Sequence, residues 1–479
     1  MDQLLAAVAD GRTESIRYRQ NELQSFHKAL RSDADRLRGA ITQDILGEQS
    51  TEVILEAEAE YSHTMSAVRE FYSSLNFEKS HRDEYLLSNG ADNLSRRAGK
   101  GLVVIRPTTH TRLYSIVCPV AAAIAAGNCV CLELEDTMLA VDRILKEILP
   151  AALDNDTFHI MSVPVRDLSS AFLVDESAKS SLPTINQLLS NPSVRTIAIV
   201  DRAADVELAA KTIINARFNF QGNSPYSPDI VFVNDFVKDM FTEACIKYAS
   251  KFHNAKTRAR RQQVSSLTKK AFKNAEEKGE ISVFGSSDFV LADVKDRNSP
   301  IAKMKVTGCF LPIVKCTSLV DAIMSQRSQS TPLAAYLFSD PPTAKFLAQH
   351  LNAETTYVNQ IPLHLLIGPA APITSLSMPI SHKYSLEMFS SSKPEYISSP
   401  SEELQALEQV LSGDDEMLLR AIRKKAVEPL PKTGQPLGHA VGFFEQGIFL
   451  GAGLFLTVFI PSVAYGSWVL GRGAWRLMR

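Results

Sequence analysis

The sequence lacks an excess of charge of either sign. Lysines and arginines number 51 against 53 aspartates and glutamates, and the formal net charge is −2. Proteins that hold nucleic acid obtain most of their affinity by neutralising phosphates, so we expect no nucleic-acid partner. Disordered and fibrous classes are also excluded, because 45% of the 479 residues are hydrophobic. The length predicts about two to four globular domains.

Paired cysteine motifs are missing as well. The six cysteines include no CxxC pair and lie mostly in apolar segments. This spacing argues against a zinc site and a disulfide framework, and it predicts reduced, buried thiols. The ten histidines show no metal-ligand spacing either. We therefore expect no metal site.

Long uncharged hydrophobic runs are few, and the longest lies near the C-terminus. No charged residue occurs between Gln446 and Gly471, and the segment is mainly Ile, Leu, Phe, Val, Ala and Gly. Roughly 20 such residues cross the hydrocarbon core of a bilayer, so 446–471 is predicted to be a transmembrane anchor. A buried helix is one alternative, although long soluble helices usually have a polar face. A hairpin in one leaflet, broken at Pro461, is the other.

Basic residues lie on both sides of the predicted anchor, so the positive-inside rule does not decide its orientation. The first 17 residues carry charge throughout and contain no apolar core, so we expect no secretory signal. A long folded region made before the anchor is expected to stay in the cytosol. We predict a single-pass protein on the surface of the endoplasmic reticulum or another organelle.

Hydrophobic periodicity predicts helices over 16–45 and 52–75, followed by alternation of strands and helices. The predicted strands are short β-branched or apolar runs, at 102–105, 130–132, 196–200, 230–233, 310–314 and 335–338. Strand and helix in alternation are typical of an α/β fold with parallel sheets. The Ser- and Pro-containing segment 390–440 is predicted to be a linker before the anchor.

Several motifs in this alternating region resemble those of the aldehyde dehydrogenase superfamily. The run from Gly101 to Asn128, a strand and a buried helix ending in AAGN, is similar to the first part of that family's cofactor domain. The octapeptide GNSPYSPD at 222–229 is similar to the family's GQxCxxPD. Further matches are LPIV at 311–314, PLAAYLFS at 332–339, and HKYS at 382–385 with Phe389 and Ser390. The likeness extends in unbroken order over 10–395, and the apolar tail adds similarity to the class 3, membrane-anchored fatty aldehyde dehydrogenases.

The resemblance implies an aldehyde dehydrogenase-like α/β fold. A Rossmann-type cofactor domain is expected in 1–190, completed by part of 340–395, and a catalytic-type α/β domain in 191–340. A small oligomerisation arm and a homodimer are implied too. The implied reaction oxidises an aldehyde to an acid with NAD or NADP, using a thiolate nucleophile, an amide that stabilises the oxyanion and a glutamate base.

The residues at the family's catalytic positions differ from that pattern. Counting from Gly222, the position of the nucleophilic cysteine is Pro225, which can neither attack a carbonyl nor supply a backbone N–H. The oxyanion asparagine becomes His110. The general-base glutamate becomes Asn191, whose amide cannot accept the proton.

The cofactor positions differ as well. Glu133 stands where the family's KPSE motif has its lysine, and Lys305 stands where EEIFGP has its glutamate. No match is found in 162–190 for the glycine-containing turn that leads into the pyrophosphate-binding helix. Ser224 and Ser227 flank Pro225 and are candidates for a replacement nucleophile with His110 as base, although the glycine of a nucleophile elbow is missing.

Two interpretations follow. The first is a membrane-anchored, catalytically degenerate member of the family, acting as a scaffold, a regulator beside an active relative, or a binder of an apolar small molecule. The alternative is an NAD(P)-dependent oxidoreductase with an altered site that acts on hydrophobic aldehydes, for example in a biosynthetic pathway. Binding of NAD or NADP distinguishes the two.

Overall fold

The computed structural model describes the chain with gaps, over residues 1–45, 51–135, 138–177, 186–252, 266–286, 289–327, 329–372, 382–398, 401–413, 416–434 and 443–477. The chain divides into two compact units, Met1–Ser398 and Ser399–Arg479. The helices of the first unit are α1 (Asp2–Asp10), α2 (Ile16–Ser32), α3 (Ala34–Asp44), α4 (Thr51–Ser74), α5 (Phe77–Glu84), α6 (Arg112–Ala125), α7 (Ala140–Ala152), α8 (Val206–Phe218), α9 (Lys238–Ala249), α10 (Ser266–Glu277), α11 (Leu319–Arg327), α12 (Pro341–His350) and α13 (Leu363–Leu366).

The strands also belong to the first unit. They are β1 (Arg97–Gly99), β2 (Leu102–Arg106), β3 (Cys129–Glu133), β4 (Phe158–Met161), β5 (Ala171–Asp175), β6 (Gln187–Leu189), β7 (Thr196–Val200), β8 (Ile230–Asn234), β9 (Ile281–Ser286), β10 (Phe289–Val294), β11 (Phe310–Cys316), β12 (Ala334–Phe338), β13 (Thr356–Val358) and β14 (Ser390–Ser392). The second unit contains α14 (Glu402–Ser412), α15 (Glu416–Ala426) and α16 (Phe443–Leu477).

A five-stranded parallel sheet has the order β4-β3-β2-β5-β6. Its central strands are buried along almost their whole length, as apolar strands covered on both faces are. Helix α6 connects β2 to β3, and every one of its residues is buried, since α4 packs against it.

A seven-stranded sheet has the order β13-β12-β7-β8-β11-β10-β9. Its neighbouring pairs are parallel except for β9 and β10. The predicted α/β fold with parallel sheets is therefore confirmed. The predicted domain boundary at 190/191 falls between β6 of the first sheet and β7 of the second. Beyond β13 the chain returns to the N-terminal part, where the Gly368 N–H donates to Thr111 Oγ1 at 2.6 Å.

Two predicted segments differ in detail. The helix expected over 16–45 is two helices, because Asp33 leaves the helical conformation with φ −101° and ends α2. The linker expected over 390–440 begins later, since β14 pairs with β1 and Asp92 accepts hydrogen bonds from the N–H groups of Ile397 and Ser398. Residues 402–412 and 416–426 of that segment are helical.

Helix α16 contains the stretch Glu445–Trp468, which is long and apolar enough to cross a membrane. None of this stretch is buried within the protein, unlike the core helix of a soluble domain. The helix also continues through Pro461, which differs from the alternative of a hairpin broken there. Proline is tolerated within membrane helices. Helix α16 is therefore a candidate transmembrane span.

Candidate functional site

The loop that carries Pro225 is held against the segment before β11. Phe220 and Gln221 take left-handed conformations, with φ of 50° and 59°. Gly222 follows with φ +65°, and a Cβ there would lie 2.2 Å from the Gly308 carbonyl oxygen, so only glycine fits. The motif's first glycine thus packs the loop against Gly308.

Arg217, at the end of α8, is fully buried beneath this loop. Its guanidinium donates to the carbonyl oxygens of Gly308 at 2.7 Å and Val306 at 2.8 Å, and it lies 3.5 Å from Asp229. Burial lowers the pKa of Arg217, and the nearby Asp229 carboxylate opposes that shift. Arg217 therefore links the end of α8 and Asp229 to the segment that precedes β11.

Pro225 and Lys305, both singled out in the sequence, are brought together. The buried Pro225 carbonyl accepts a hydrogen bond from the Lys305 ammonium at 2.6 Å and another from Thr196 Oγ1 at 3.0 Å. The same ammonium forms an ion pair with Asp229 at 2.9 Å. Burial lowers the pKa of Lys305, while the Asp229 charge favours the ammonium form. Lys305 therefore stabilises the loop in which the family has its nucleophile.

Ser224 and Ser227 are buried turn residues. Ser224 Oγ accepts the Tyr226 N–H at 3.3 Å, and Ser227 Oγ donates to the Ala216 carbonyl at 2.8 Å. In the described part of the chain, no hydrogen bond connects either hydroxyl to His110. The geometry gives neither serine a base.

His110 lies just before α6, partly buried. Its Nε2 is 2.9 Å from the Leu366 carbonyl oxygen, and because a carbonyl only accepts, Nε2 carries the hydrogen. Burial lowers the pKa of His110 to about 4. The ring stands edge-on to Phe220, with 6.1 Å between centroids. His110 is thus a neutral donor near physiological pH.

Asn191 lies in the turn between β6 and β7. Its side-chain oxygen accepts hydrogen bonds from the N–H and hydroxyl of Ser193. This is a local turn-stabilising arrangement, which asparagine commonly makes. It provides no carboxylate for activating water.

Glu133 lies at the carboxyl end of β3, next to the carboxyl end of β2, where Arg106 is placed. Its carboxylate binds Arg106 through two hydrogen bonds of 2.6 and 3.2 Å and accepts the Val165 N–H at 2.9 Å. Glu133 is buried, and Arg106 largely so. The charge of the Glu133 carboxylate is therefore neutralised within the protein by Arg106.

Glu176, which the sequence analysis missed, directly follows β5. Ligands of open α/β sheets bind at the carboxyl ends of the strands where the strand order reverses, here between β2 and β5. Glu176 occupies that point fully buried, accepting from the Tyr384 hydroxyl at 2.5 Å and the Thr108 N–H at 3.1 Å. Burial raises the pKa of Glu176 to about 7. The signal that could have identified it was the acidic pair Asp175-Glu176 at the end of the apolar run 171–174.

A cleft of about 500 Å³ opens beside His110 and Phe220. Three of its carboxylates hold backbone N–H groups of neighbouring elements. They are Asp44, Glu56 and Glu60. Glu60 accepts the Leu113 N–H at 2.8 Å, and burial raises the pKa of Glu60 to about 8. The cleft is consequently lined by polar groups as well as by Phe220.

Elsewhere in the described ranges, no group of three or more His, Cys, Asp or Glu residues is arranged to hold a metal ion. All six cysteines are buried and unpaired. The candidate residues are not arranged as one catalytic group. Lys305 donates to the Pro225 carbonyl, and His110 lines the cleft. Glu133 is bound to Arg106, and Asn191 to Ser193.

Comparison with known proteins gives the family. The model of the aldehyde dehydrogenase family matches residues 5–366, and the chain belongs to that family. It is 24% identical over 371 residues to mouse aldehyde dehydrogenase family 3 member B1, covering 71% of this chain and 77% of that protein. It is 22% identical over 428 residues to mouse family 3 member A2, covering 82% and 86%. The class 3 relationship inferred from the motifs agrees with these relatives.

A third relative is the dog protein named aldehyde dehydrogenase, dimeric NADP-preferring, which is 22% identical over 424 residues, covering 80% of this chain and 91% of that protein. Among solved structures, substrate-bound AldH of Staphylococcus aureus superposes with a TM-score of 0.64 at 20% identity, covering 83% of this chain and 93% of that one. GapN from Methanocaldococcus jannaschii gives a TM-score of 0.66 at 16% identity, with coverage of 82% and 92%. These similarities establish the aldehyde dehydrogenase-like fold.

Proposed function

We propose that this chain is a membrane-anchored member of the aldehyde dehydrogenase family that has lost aldehyde oxidation. It acts as a scaffold, as a regulator beside an active relative, or as a binder of a small molecule. The observation that carries the proposal is the hydrogen bond from the Lys305 ammonium to the Pro225 carbonyl oxygen. Two positions at which the resemblance implies a ribose-binding carboxylate and a nucleophilic thiol are used here to stabilise one loop.

The expected cofactor cleft supports the same proposal. NAD and NADP carry a pyrophosphate, which family members bind with backbone N–H groups at a helix N-terminus. In this chain Glu176 is buried at the strand-order reversal, and Glu133 is bound to Arg106 at the neighbouring strand ends. These residues do not fit a dinucleotide, since the carboxyl group of Glu176 fills the strand-order reversal and the Arg106 guanidinium, which could attract a phosphate, is already bound by Glu133.

The cleft beside His110 is the proposed site for a ligand in the binding variant of this function. Its volume of about 500 Å³ is sufficient for a small molecule. Phe220 supplies apolar surface, as an apolar ligand requires. Glu56 and Glu60 add acceptor groups, so we propose that such a ligand also bears a polar end.

Thermal unfolding of the full chain in detergent, with NAD, NADP or a long-chain aldehyde, tests the proposal. A ligand of the folded state at a hundred times its Kd stabilises by about 2.7 kcal/mol. We expect no shift with either dinucleotide, whereas the dog NADP-preferring relative, treated identically, is stabilised by NADP. Stabilisation of this chain by NAD or NADP would contradict the proposal and favour the oxidoreductase. A rise in the unfolding temperature with the aldehyde but with neither dinucleotide would support the role as a binder of a small molecule.

Membrane attachment through α16, with the first unit in the cytosol at the endoplasmic reticulum or another organelle, is part of the proposal. It is supported by the apolar, unburied stretch Glu445–Trp468. A homodimer is proposed because the dog relative is described as dimeric. Light scattering of the detergent-solubilised chain gives the number of copies.

A further inference from the structure

The cleft beside His110 has more acidic than basic side chains. Within the described ranges its acidic lining residues are Asp44, Glu56 and Glu60. Arg112 is the one described lining residue with a permanent positive charge, and the Asp142 carboxylate binds its guanidinium at 2.8 and 3.0 Å. Because that pair is balanced, the remaining charge of the lining is negative and favours a positively charged ligand.

The N-terminus of α6 borders this cleft, but its donors are occupied. Helix N-termini attract anions, because their first N–H groups have no partner within the helix. Here Glu60 Oε1 accepts the N–H groups of Leu113 and Tyr114 at 2.8 and 3.3 Å. An anionic ligand would therefore meet carboxylates instead of free donors.

The second oxygen of the Glu60 carboxyl group lacks a partner. Glu60 is only 2% exposed, and within the described ranges its Oε2 accepts no hydrogen bond, unlike Oε1. Buried polar atoms are normally hydrogen-bonded, so such an exception calls for an explanation. Because Glu60 lines the cleft, a donor bound in the cleft can supply the missing bond.

The same cleft also offers apolar surface. Its apolar lining residues are Ile41, Ile45, Leu139, Val141 and Phe220. A bare metal ion does not use such a surface, and the described residues contain no group arranged to hold one. The cleft, of about 500 Å³, therefore suits a molecule that joins a cationic hydrogen-bond donor to a short hydrocarbon chain.

We propose that this cleft binds a primary alkylamine, whose ammonium group donates to Glu60 Oε2 and whose hydrocarbon chain packs against Phe220. The inference rests on the proposed role of the chain as a binder of a small molecule. Hydrogen bonds between charged groups are stronger than those between neutral groups. An amine is consequently favoured over an alcohol of equal length.

Binding of an amine is coupled to the ionisation of Glu60. Burial raises the pKa of Glu60 to about 8, and the Asp44 and Glu56 carboxylates add to this shift. The empty cleft therefore holds a proton on Glu60 at pH 7, whereas a nearby ammonium favours the carboxylate. The proton passes to the solvent when the amine binds. His110, with its pKa lowered to about 4 by burial, stays neutral from pH 6 to 8.

Isothermal titration calorimetry of the full chain in a non-ionic detergent, with hexylamine as the probe, tests the proposal. The matched probes 1-hexanol and hexanoate keep the chain length but carry no charge or a negative charge. We expect hexylamine to bind at least about tenfold more tightly than 1-hexanol, and hexanoate not to bind. The hexylamine affinity should rise by up to about tenfold per unit between pH 6 and 8, with about one proton released per amine at pH 7.

Glu60→Gln keeps an acceptor for the N–H groups of α6 but cannot ionise. Removing one member of a buried charged pair weakens binding by about 30-fold or more, so the hexylamine affinity should fall by that factor and lose its pH dependence. The matched control is Glu58→Gln, at an exposed position on the same helix. It should keep the wild-type affinity and pH dependence. The comparison of probes and the proton release use the wild type and do not depend on either variant.

The possible failures are distinguishable. Equal affinity for hexylamine and 1-hexanol overturns the proposal, because it indicates an apolar contact without recognition of the ammonium group. Binding of hexanoate, or hexylamine binding unchanged in Glu60→Gln, overturns it too. If none of the three probes binds, the role as a binder of a small molecule is contradicted as well. The loss of aldehyde oxidation is judged separately, by the thermal shifts with NAD and NADP.

Discussion

The ammonium nitrogen of Lys305 lies 2.6 Å from the carbonyl oxygen of Pro225. The two residues are far apart in the sequence, and in the family resemblance they correspond to two separate functional groups. Here they form one buried contact, completed by Asp229 at 2.9 Å from the same ammonium. Lys305 is thus part of the structural framework, and stability measurements can test this role.

Changing Lys305→Glu introduces the residue type that the family resemblance implies at this position, yet we expect it to destabilise the protein. The new carboxylate would face both the Asp229 carboxylate and the Pro225 carbonyl without a donor. Leaving a buried charge unpaired in this way costs about 4 kcal/mol. Denaturant unfolding measures the change in free energy.

The control for this substitution is Lys303→Glu on the same segment, where the side chain is exposed. Exposed substitutions usually change stability by less than about 0.5 kcal/mol. Equal stability of Lys305→Glu and the wild type would mean that Lys305 is not a structural residue. The proposal of lost function would then lose its main support.

Much of the fold was predictable from the sequence because strand and helix periods alternate clearly. The strands β2, β3, β7, β8, β11 and β12 lie where short apolar runs predicted them. The strands β4, β5 and β6 were not predicted: β4 is interrupted by a histidine and β6 has only two apolar residues, whereas the apolar run of β5, Ala171 to Val174, was overlooked. Asp33 was not recognised as a helix break, because the apolar spacing continues on both sides of it.

The candidate site was only partly predictable. Sequence register identified which residues stand at the family's positions, because short motifs surround each of them. It did not reveal that Lys305 contacts Pro225, or that Glu133 binds Arg106, since such contacts depend on how separate strands are aligned. Glu176 was missed because no motif marks a buried carboxyl, and its burial follows from the packing of Tyr384 against it.

Stability should fall as pH rises from about 6.5 to 8. Glu60 and Glu176 have folded-state pKa values raised by burial to about 8 and about 7, so the folded state holds protons that the unfolded state has released. At pH values between its unfolded-state and folded-state pKa, each such group lowers the unfolding free energy by about 1.4 kcal/mol for every unit by which the pH rises. His63 and His110 have folded-state pKa values lowered to about 4, so they reduce stability only as the pH falls below about 6.5.

Glu60→Gln tests how much Glu60 contributes to the pH dependence of the unfolding free energy. Its amide oxygen can still accept the Leu113 and Tyr114 N–H groups, so folding should be retained. We expect the stability curve between pH 6.5 and 8 to become flatter. Glu58→Gln, at an exposed position on the same helix, is the control and should keep the wild-type slope.

Ending the chain after Gln446 should release the protein into the soluble fraction. The truncation removes most of the apolar stretch of α16, which is the described part of the chain with the length and composition to cross a membrane. Fractionation of cells followed by an alkaline carbonate wash measures the change.

The control for the truncation deletes residues 402–426 and keeps 443–479. That variant should remain in the carbonate-resistant membrane fraction, because it retains the apolar stretch Glu445–Trp468 of α16. If the chain ending at Gln446 stays with the membrane after washing, α16 is not the anchor.

Pro225→Cys should fail to create an aldehyde dehydrogenase. The variant regains a thiol at the family's nucleophile position, but Asn191 offers no base and is engaged with Ser193. Each missing general base or oxyanion donor costs roughly a hundredfold or more. The cofactor positions are also unchanged, with Glu133 bound to Arg106. Formation of NADH or NADPH from a long-chain aldehyde is therefore expected to stay at background for wild type and variant.

The opposite outcome in this assay would identify the alternative. If the wild type turned over an aldehyde with NAD or NADP, its nucleophile could not be Pro225, and the serines beside it would be tested first. Loss of turnover in Ser224→Ala or Ser227→Ala, with an unchanged unfolding midpoint, would assign a serine nucleophile. Because the Ser224 hydroxyl accepts the Tyr226 N–H, the Ser227 hydroxyl donates to the Ala216 carbonyl of α8, and neither is bonded to His110, we expect no activity for these substitutions to remove.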